Sequence, residues 1–89
     1  MNSFTTRRFR DCFAALPRHI QKQTREAYRQ FLLNPSHPGL RFKPIVGHDN
    51  IWSARITFDY RAVCVIESGN ATWFWIGSHS DYDKLLSVS

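Results

Sequence analysis

An 89-residue chain of 10.4 kDa has room for one hydrophobic core, so residues 1–89 read as a single domain. Its 43% apolar residues, with three Trp, three Tyr and seven Phe, can build that core, which excludes intrinsic disorder; no apolar run approaches the roughly 20 residues of a membrane-spanning helix. The formal net charge of +5 is uneven: residues 1–48 hold nine Lys/Arg and two acids (+7), residues 49–89 three Lys/Arg and five acids (−2). This points to a polyanionic partner; the plain alternative is a solvated, Arg-rich helical surface. Cys12 and Cys64 lack the CxxC spacing of a zinc site or redox pair. With no apolar stretch behind Arg7 and Arg8 to suggest a signal peptide, a reducing cytoplasm is the expected location.

In chain order, residues 2–5 are a weakly signalled edge strand. Thr5 and Thr6 can cap a helix from Arg7 to about Leu16, in which Phe9, Cys12, Phe13 and Leu16 form one apolar stripe. Pro17 ends it and suits the start of a second helix, Arg18 to Leu33, with Ile20, Thr24, Ala27, Tyr28, Phe31 and Leu32 inward and Arg18, Lys22, Arg25 and Arg29 outward. Asn34 to Gly39 stops that helix with two prolines and a glycine. Leu40–Val46 alternates as a strand and Gly47–Asn50 is a turn. Ile51–Phe58 places Trp52, Ala54, Ile56 and Phe58 on one side and Ser53 and Arg55 on the other. Arg61–Glu67 is apolar on both faces and so central in the sheet; there Cys64 reads as core. Ser68-Gly69-Asn70 is a hairpin turn before Ala71–Ser78. A short helix follows from Ser80, with Ser80 and Asp83 resembling a capping box.

The expected fold is α+β. Two N-terminal helices pack on one face of a mostly antiparallel four- to five-stranded sheet, burying Leu40, Phe42, Trp52, Ile56, Phe74 and Ile76, and a short C-terminal helix completes it. Strand parity then collects Arg41, Lys43, Arg55, Arg61, Trp73, Trp75 and His79 on the face without helices. Cations beside aromatic rings and an imidazole suit single-stranded RNA: arginine binds phosphate, tryptophan stacks on bases, and imidazole moves protons. The ordinary alternative places Trp73 and Trp75 in the core.

The His37-Pro38-Gly39-Leu40-Arg41-Phe42-Lys43 loop, the Ile51-Trp52-Ser53-Ala54-Arg55-Ile56 strand, the Asp59-Tyr60-Arg61-Ala62-Val63 step and the closing Gly77-Ser78-His79-Ser80-Asp81-Tyr82 follow the two helices. Together they resemble the RelE/ParE superfamily, the toxins of bacterial type II toxin–antitoxin pairs, over nearly the whole chain. The resemblance implies a toxin that is neutralised by a cognate antitoxin protein in a toxin–antitoxin hetero-oligomer. It implies two activities: RelE-like, ribosome-linked mRNA cleavage without a metal or other cofactor, or ParE-like inhibition of DNA gyrase. A catalytically inactive member that only binds RNA or protein is a further alternative.

For RNA cleavage, the resemblance places Arg61 and His79 in the active site, and the chemistry agrees. A 2′-hydroxyl attacks the adjacent phosphate, which calls for cations to hold the charge on phosphorus and a group able to carry a proton. Arg61 and Arg55 are expected to hold the phosphate with forked hydrogen bonds, and His79 to transfer the proton. Lys43 and Arg41 add charge, Trp75 and Trp73 offer stacking surfaces, Tyr82 orients a base or gives a proton, and His48 is a second candidate imidazole. Ser53 stands where the family pattern leads us to expect another cation. The chain also lacks the long final helix that carries a functional tyrosine in some members, so Tyr82 is not a clean match. The expected partners are therefore mRNA, the ribosome and the antitoxin, with no membrane and no metal.

Overall fold

The Thr6 Oγ1 accepts the Phe9 N–H at 3.1 Å and so starts the first helix, α1 (Arg7–Ala14). In the computed structural model, which describes residues 1–87, β1 (Asn2–Thr5) precedes α1, and α2 (Arg18–Leu33) follows it across Pro17. Carbonyls at the C-terminal end of α1 and just past it are met from α2. The Gln21 side-chain amide donates to the carbonyls of Phe13, Ala14 and Leu16. After α2 come a 3-10 turn (Pro38–Leu40), β2 (Lys43–Pro44), β3 (Ile51–Thr57), β4 (Tyr60–Glu67), β5 (Asn70–Ser78) and α3 (His79–Ser87). This is an α+β arrangement with the expected helices and a central β4.

The five strands form one mixed sheet in the order β1-β5-β4-β3-β2; β1 runs parallel to β5 and all other pairs are antiparallel. The β4–β5 hairpin turns on Ser68 (φ 51°) and Gly69 (φ 78°), two left-handed residues of the kind that match the twist of the strands they join. Both helices lie on one face. Under them Ala54, Ala62 and Ala71 are small enough to let Phe31 descend edge-on to Phe42 and Trp73, with ring centroids 5.0 and 5.1 Å apart. Cys64 is fully buried on this face, and burial pushes its thiol up to about 12.

Several expectations change in detail. Leu40 belongs to the 3-10 turn, whose start is capped by His37 Nδ1 accepting the Gly39 N–H, so the predicted Leu40–Val46 strand shrinks to Lys43–Pro44. Leu32 is exposed, and the α2 stripe ends at Phe31. The cap of α3 is Ser78, whose hydroxyl accepts the Asp81 N–H, rather than Ser80. The largest change is a β-bulge in β5: Cys64 pairs with Trp73 but the adjacent Val63 pairs with Trp75, so Phe74 is an extra residue. The bulge reverses parity within β5. Trp73, predicted on the open face, is instead core at 3% exposure, its indole N–H donating to Ser3 Oγ, which also accepts from the Tyr28 hydroxyl. Phe74, predicted under the helices, is outside that core.

Candidate nucleic-acid interface

Pairing places two rows of side chains on the sheet face opposite the helices. Lys43, Ser53, Val63 and Trp75 are register partners in one row; Arg55, Arg61 and Gly77 are partners in the next. Directly opposed residues of antiparallel strands point to the same face, with Cβ atoms about 4.5–5.5 Å apart. Arg55 and Arg61 therefore sit side by side. Like charges so placed repel, and among the described residues the sole ion pair is Arg7 with Asp11 on α1. The pair is thus a concentration of positive charge without a carboxylate partner among the described residues.

The two arginines are held differently. Arg61 folds back along its own hairpin, where one terminal nitrogen, Nη1, donates to the carbonyls of Thr57 (2.8 Å), Tyr60 (3.1 Å) and Phe58 (3.3 Å). The rest of its guanidinium remains available. Arg55 makes no hydrogen bond of this kind among the described residues; its guanidinium carbon lies 5.9 Å from the centroid of the Phe58 ring. The hairpin tip is the two-residue turn Phe58–Asp59, where the Asp59 N–H donates to Thr57 Oγ1 and the Asp59 carbonyl accepts the backbone N–H of His79. The last bond ties the start of α3 to the tip beside the arginines.

His79 is thereby fixed at the same end of the sheet as Arg55 and Arg61, with its side chain exposed. Its ring stacks on Tyr82, one turn along α3 (6.1 Å, 26°), and Tyr82 in turn lies 6.3 Å from Trp75. Trp75 is on the predicted face but is only 8% exposed. Its ring crosses Gly77, where a Cβ would lie 2.7 Å from the indole. The ring thus leaves little surface on which a base could stack. An open cleft of about 740 Å³ begins beside it, between the α1–α2 corner and α3, and is lined by Leu16, Pro17, Tyr60, Asp81 and Lys84 among others. A smaller cavity of about 150 Å³ lies under α1 and α2, apolar and on the far face from the arginine pair.

The remaining sequence candidates separate. Lys43 is exposed on the edge strand in the row next to the arginines. Arg41 is a left-handed residue (φ 44°) closing the 3-10 turn before the sheet ladder begins, so strand parity does not carry it to this face. His48 is in the β2–β3 turn, at the Ile51 end of β3, whereas Arg55 is four residues along that strand, roughly 13 Å away. It does not join the site. Among the described residues no three His, Cys, Asp or Glu side chains gather as a metal-ligand group, and no helix is long and apolar enough to cross a membrane. The residue that sequence parity missed is Phe58. It was expected inward with Trp52, but β3 shifts register between Arg55 and Thr57 and ends at Thr57, leaving Phe58 on the hairpin tip at 77% exposure. The Asp59 turn signal directly after it was the available clue.

A family model described as a ParE-like toxin domain matches residues 18–84. The fold is also similar to several solved structures. The RelB–RelE antitoxin–toxin complex from Methanococcus jannaschii matches with a TM-score of 0.70 at 19% identity, covering 91% of this chain and 96% of that chain. YafQ from Escherichia coli strain BL21(DE3) matches with a TM-score of 0.73 at 8% identity over 91% and 96%. The YoeB/ParE toxin from Agrobacterium tumefaciens matches with a TM-score of 0.69 at 20% identity over 89% and 99%. A search of the curated proteins found no match.

Proposed function

Since the chain belongs to the ParE-like toxin domain family, and so is the toxin of a type II toxin–antitoxin system, we propose that it acts by cutting messenger RNA, with Arg55, Arg61 and His79 as the working residues. The observation that carries this reading is the Arg55–Arg61 pair: two cations opposed on the sheet, with no carboxylate partner among the described residues. A phosphodiester supplies the missing negative charge. When the 2′-hydroxyl attacks, a bond forms from that oxygen to phosphorus and the bond from phosphorus to the 5′-oxygen breaks, giving a 2′,3′-cyclic phosphate and a 5′-hydroxyl. Charge grows on the phosphoryl oxygens on the way. Arg55 and the free part of the Arg61 guanidinium stabilise it, and fixed donors of this kind are worth about 10²–10³ in rate. His79 gives its proton to the departing 5′-oxygen while the 2′-hydroxyl proton passes to water. Tyr82 stacks against the imidazole and limits its orientation. Lys43, one row away, adds attraction for the neighbouring phosphate.

On this reading the ribosome presents the mRNA and an antitoxin protein neutralises the toxin; the RelB–RelE structure from M. jannaschii is a complex of that kind. The test is regulated expression of the chain alone, with primer extension to map cuts in mRNA. Growth arrest with discrete cuts is expected, and His79→Ala and Arg55→Gln should abolish both. Unchanged arrest and cutting in both variants would remove the assignment. A second reading, inhibition of DNA gyrase, draws on the ParE-like match and on the engagement of Arg61 Nη1 by backbone. Its signature is a DNA-damage response with intact mRNA.

A further inference from the structure

We infer that Phe58 is a stacking platform for one nucleobase of the bound single-stranded RNA, an inference that rests on the ribonuclease reading above. Phe58 is the most open of the aromatic rings near the arginine pair: Trp73 is core, Trp75 is 8% exposed and Tyr82 is half-buried, whereas Phe58 is 77% exposed. A single exposed phenylalanine is unremarkable. This one is distinguished by its support. Four hydrogen bonds fix the turn that carries it: three from Arg61 Nη1 to the carbonyls of Thr57, Phe58 and Tyr60, and one from the Asp59 N–H to Thr57 Oγ1. The Asp59 carbonyl also accepts the His79 backbone N–H, so the turn is joined to the start of α3, where the proposed acid stands. A platform held in place in the free protein loses little freedom when a base settles on it.

The chemistry beside the ring selects the ligand. The Arg55 guanidinium lies over the ring, leaving the remainder of the aromatic surface open to solvent, and Arg61 is the register partner of Arg55. A base stacked on Phe58 would have its own phosphate within reach of the two arginines, which is the combination of aromatic surface and cationic groove used for single strands. A protein partner or a lipid surface would call for apolar neighbours instead. The other exposed large apolar side chains lie elsewhere, at Met1 and on β1, at the end of α2 and in the β2–β3 turn, and the residue next to Phe58 is the exposed carboxylate Asp59.

The test compares Phe58→Leu, Phe58→Tyr and Phe58→Trp with the wild type, measuring the rate of cutting at mapped sites in a translating bacterial extract over a range of mRNA concentrations. Thermal melting is recorded alongside, and should be little changed because the side chain packs on nothing in the core. Removing one stacking contact typically weakens binding roughly 5- to 150-fold. Phe58→Leu is therefore expected to raise KM at least fivefold with kcat nearly kept, while the Tyr and Trp variants stay within about twofold of wild type. A Leu variant equal to wild type would overturn the inference and leave the ribonuclease reading standing. Tyr and Trp variants as poor as Leu would also overturn it, pointing to a shape-specific contact with protein. A wild type that cuts no mRNA would overturn both.

Discussion

Replacing each arginine of the opposed pair by glutamine is expected to have unequal effects on stability. Arg55→Gln relieves a like-charge contact worth about 0.2–1 kcal/mol between directly opposed residues. It also gives up the approach of the guanidinium to Phe58, about 0.5 kcal/mol at an exposed site. The variant should therefore stay within about 0.5 kcal/mol of wild type. Arg61→Gln gains the same relief but removes a charged donor shared by three backbone carbonyls, and hydrogen bonds to charged groups are worth about 1.5–3 kcal/mol. Its net loss should be about 1–2 kcal/mol. For a domain of this size that lowers the Tm of Arg61→Gln by roughly 4–16 °C relative to wild type and moves that of Arg55→Gln by no more than about 4 °C. Thermal and urea unfolding at low and high salt is the assay. Any gain in Arg55→Gln should shrink as salt screens the repulsion, and the loss in Arg61→Gln should persist. Equal midpoints for the two variants would show that Arg61 does not bracket the hairpin.

Cys64 should resist thiol reagents at neutral pH until the protein unfolds, while half-buried Cys12 reacts; equal labelling rates would contradict the core placement. Burial raises the Cys64 thiol from its ordinary value of 9.0 to about 12, so the neutral form favours the fold. That contribution is complete below pH 9.0 and is lost as pH rises toward 12, at about 1.4 kcal/mol per pH unit. A Cys64→Ala variant should lack this alkaline decline in unfolding measurements. Gly77→Ala places a Cβ 2.7 Å from the Trp75 ring, which must swing off the strand. A loss of about 1–3 kcal/mol and an altered near-ultraviolet circular dichroism spectrum are expected, and an unchanged spectrum would count against the ring position.

The periodic parts of the chain were legible without coordinates. The α2 boundaries, the inward stripe of α1, central β4 and the parity of β3 as far as Arg55 all follow from apolar spacing, because burial on one face leaves a direct trace in residue order. That spacing also put Arg55 and Arg61 on one face. Three features were not legible. The bulge at Phe74 exchanged the sides of Trp73 and Phe74, since one inserted residue reverses a period of two while leaving the composition of the strand unchanged. The position of the Trp75 ring, laid across Gly77 and near Tyr82 seven residues later, depends on contacts that strand parity does not carry. The placement of His48 away from the arginines depends on which end of β3 each turn occupies.

What residue order determined by itself was the class of the fold, the order of its elements and the identity of the cations on the open face, since each is set by local propensity and by the need to bury one face. What the tertiary structure alone decided was which ring those cations are combined with. Strand pairing brought Arg55 against Arg61, backbone carbonyls drew Arg61 onto the hairpin, and the register shift in β3 left Phe58 outside. These are contacts between strands, and strand registry is fixed by the packing of the whole sheet.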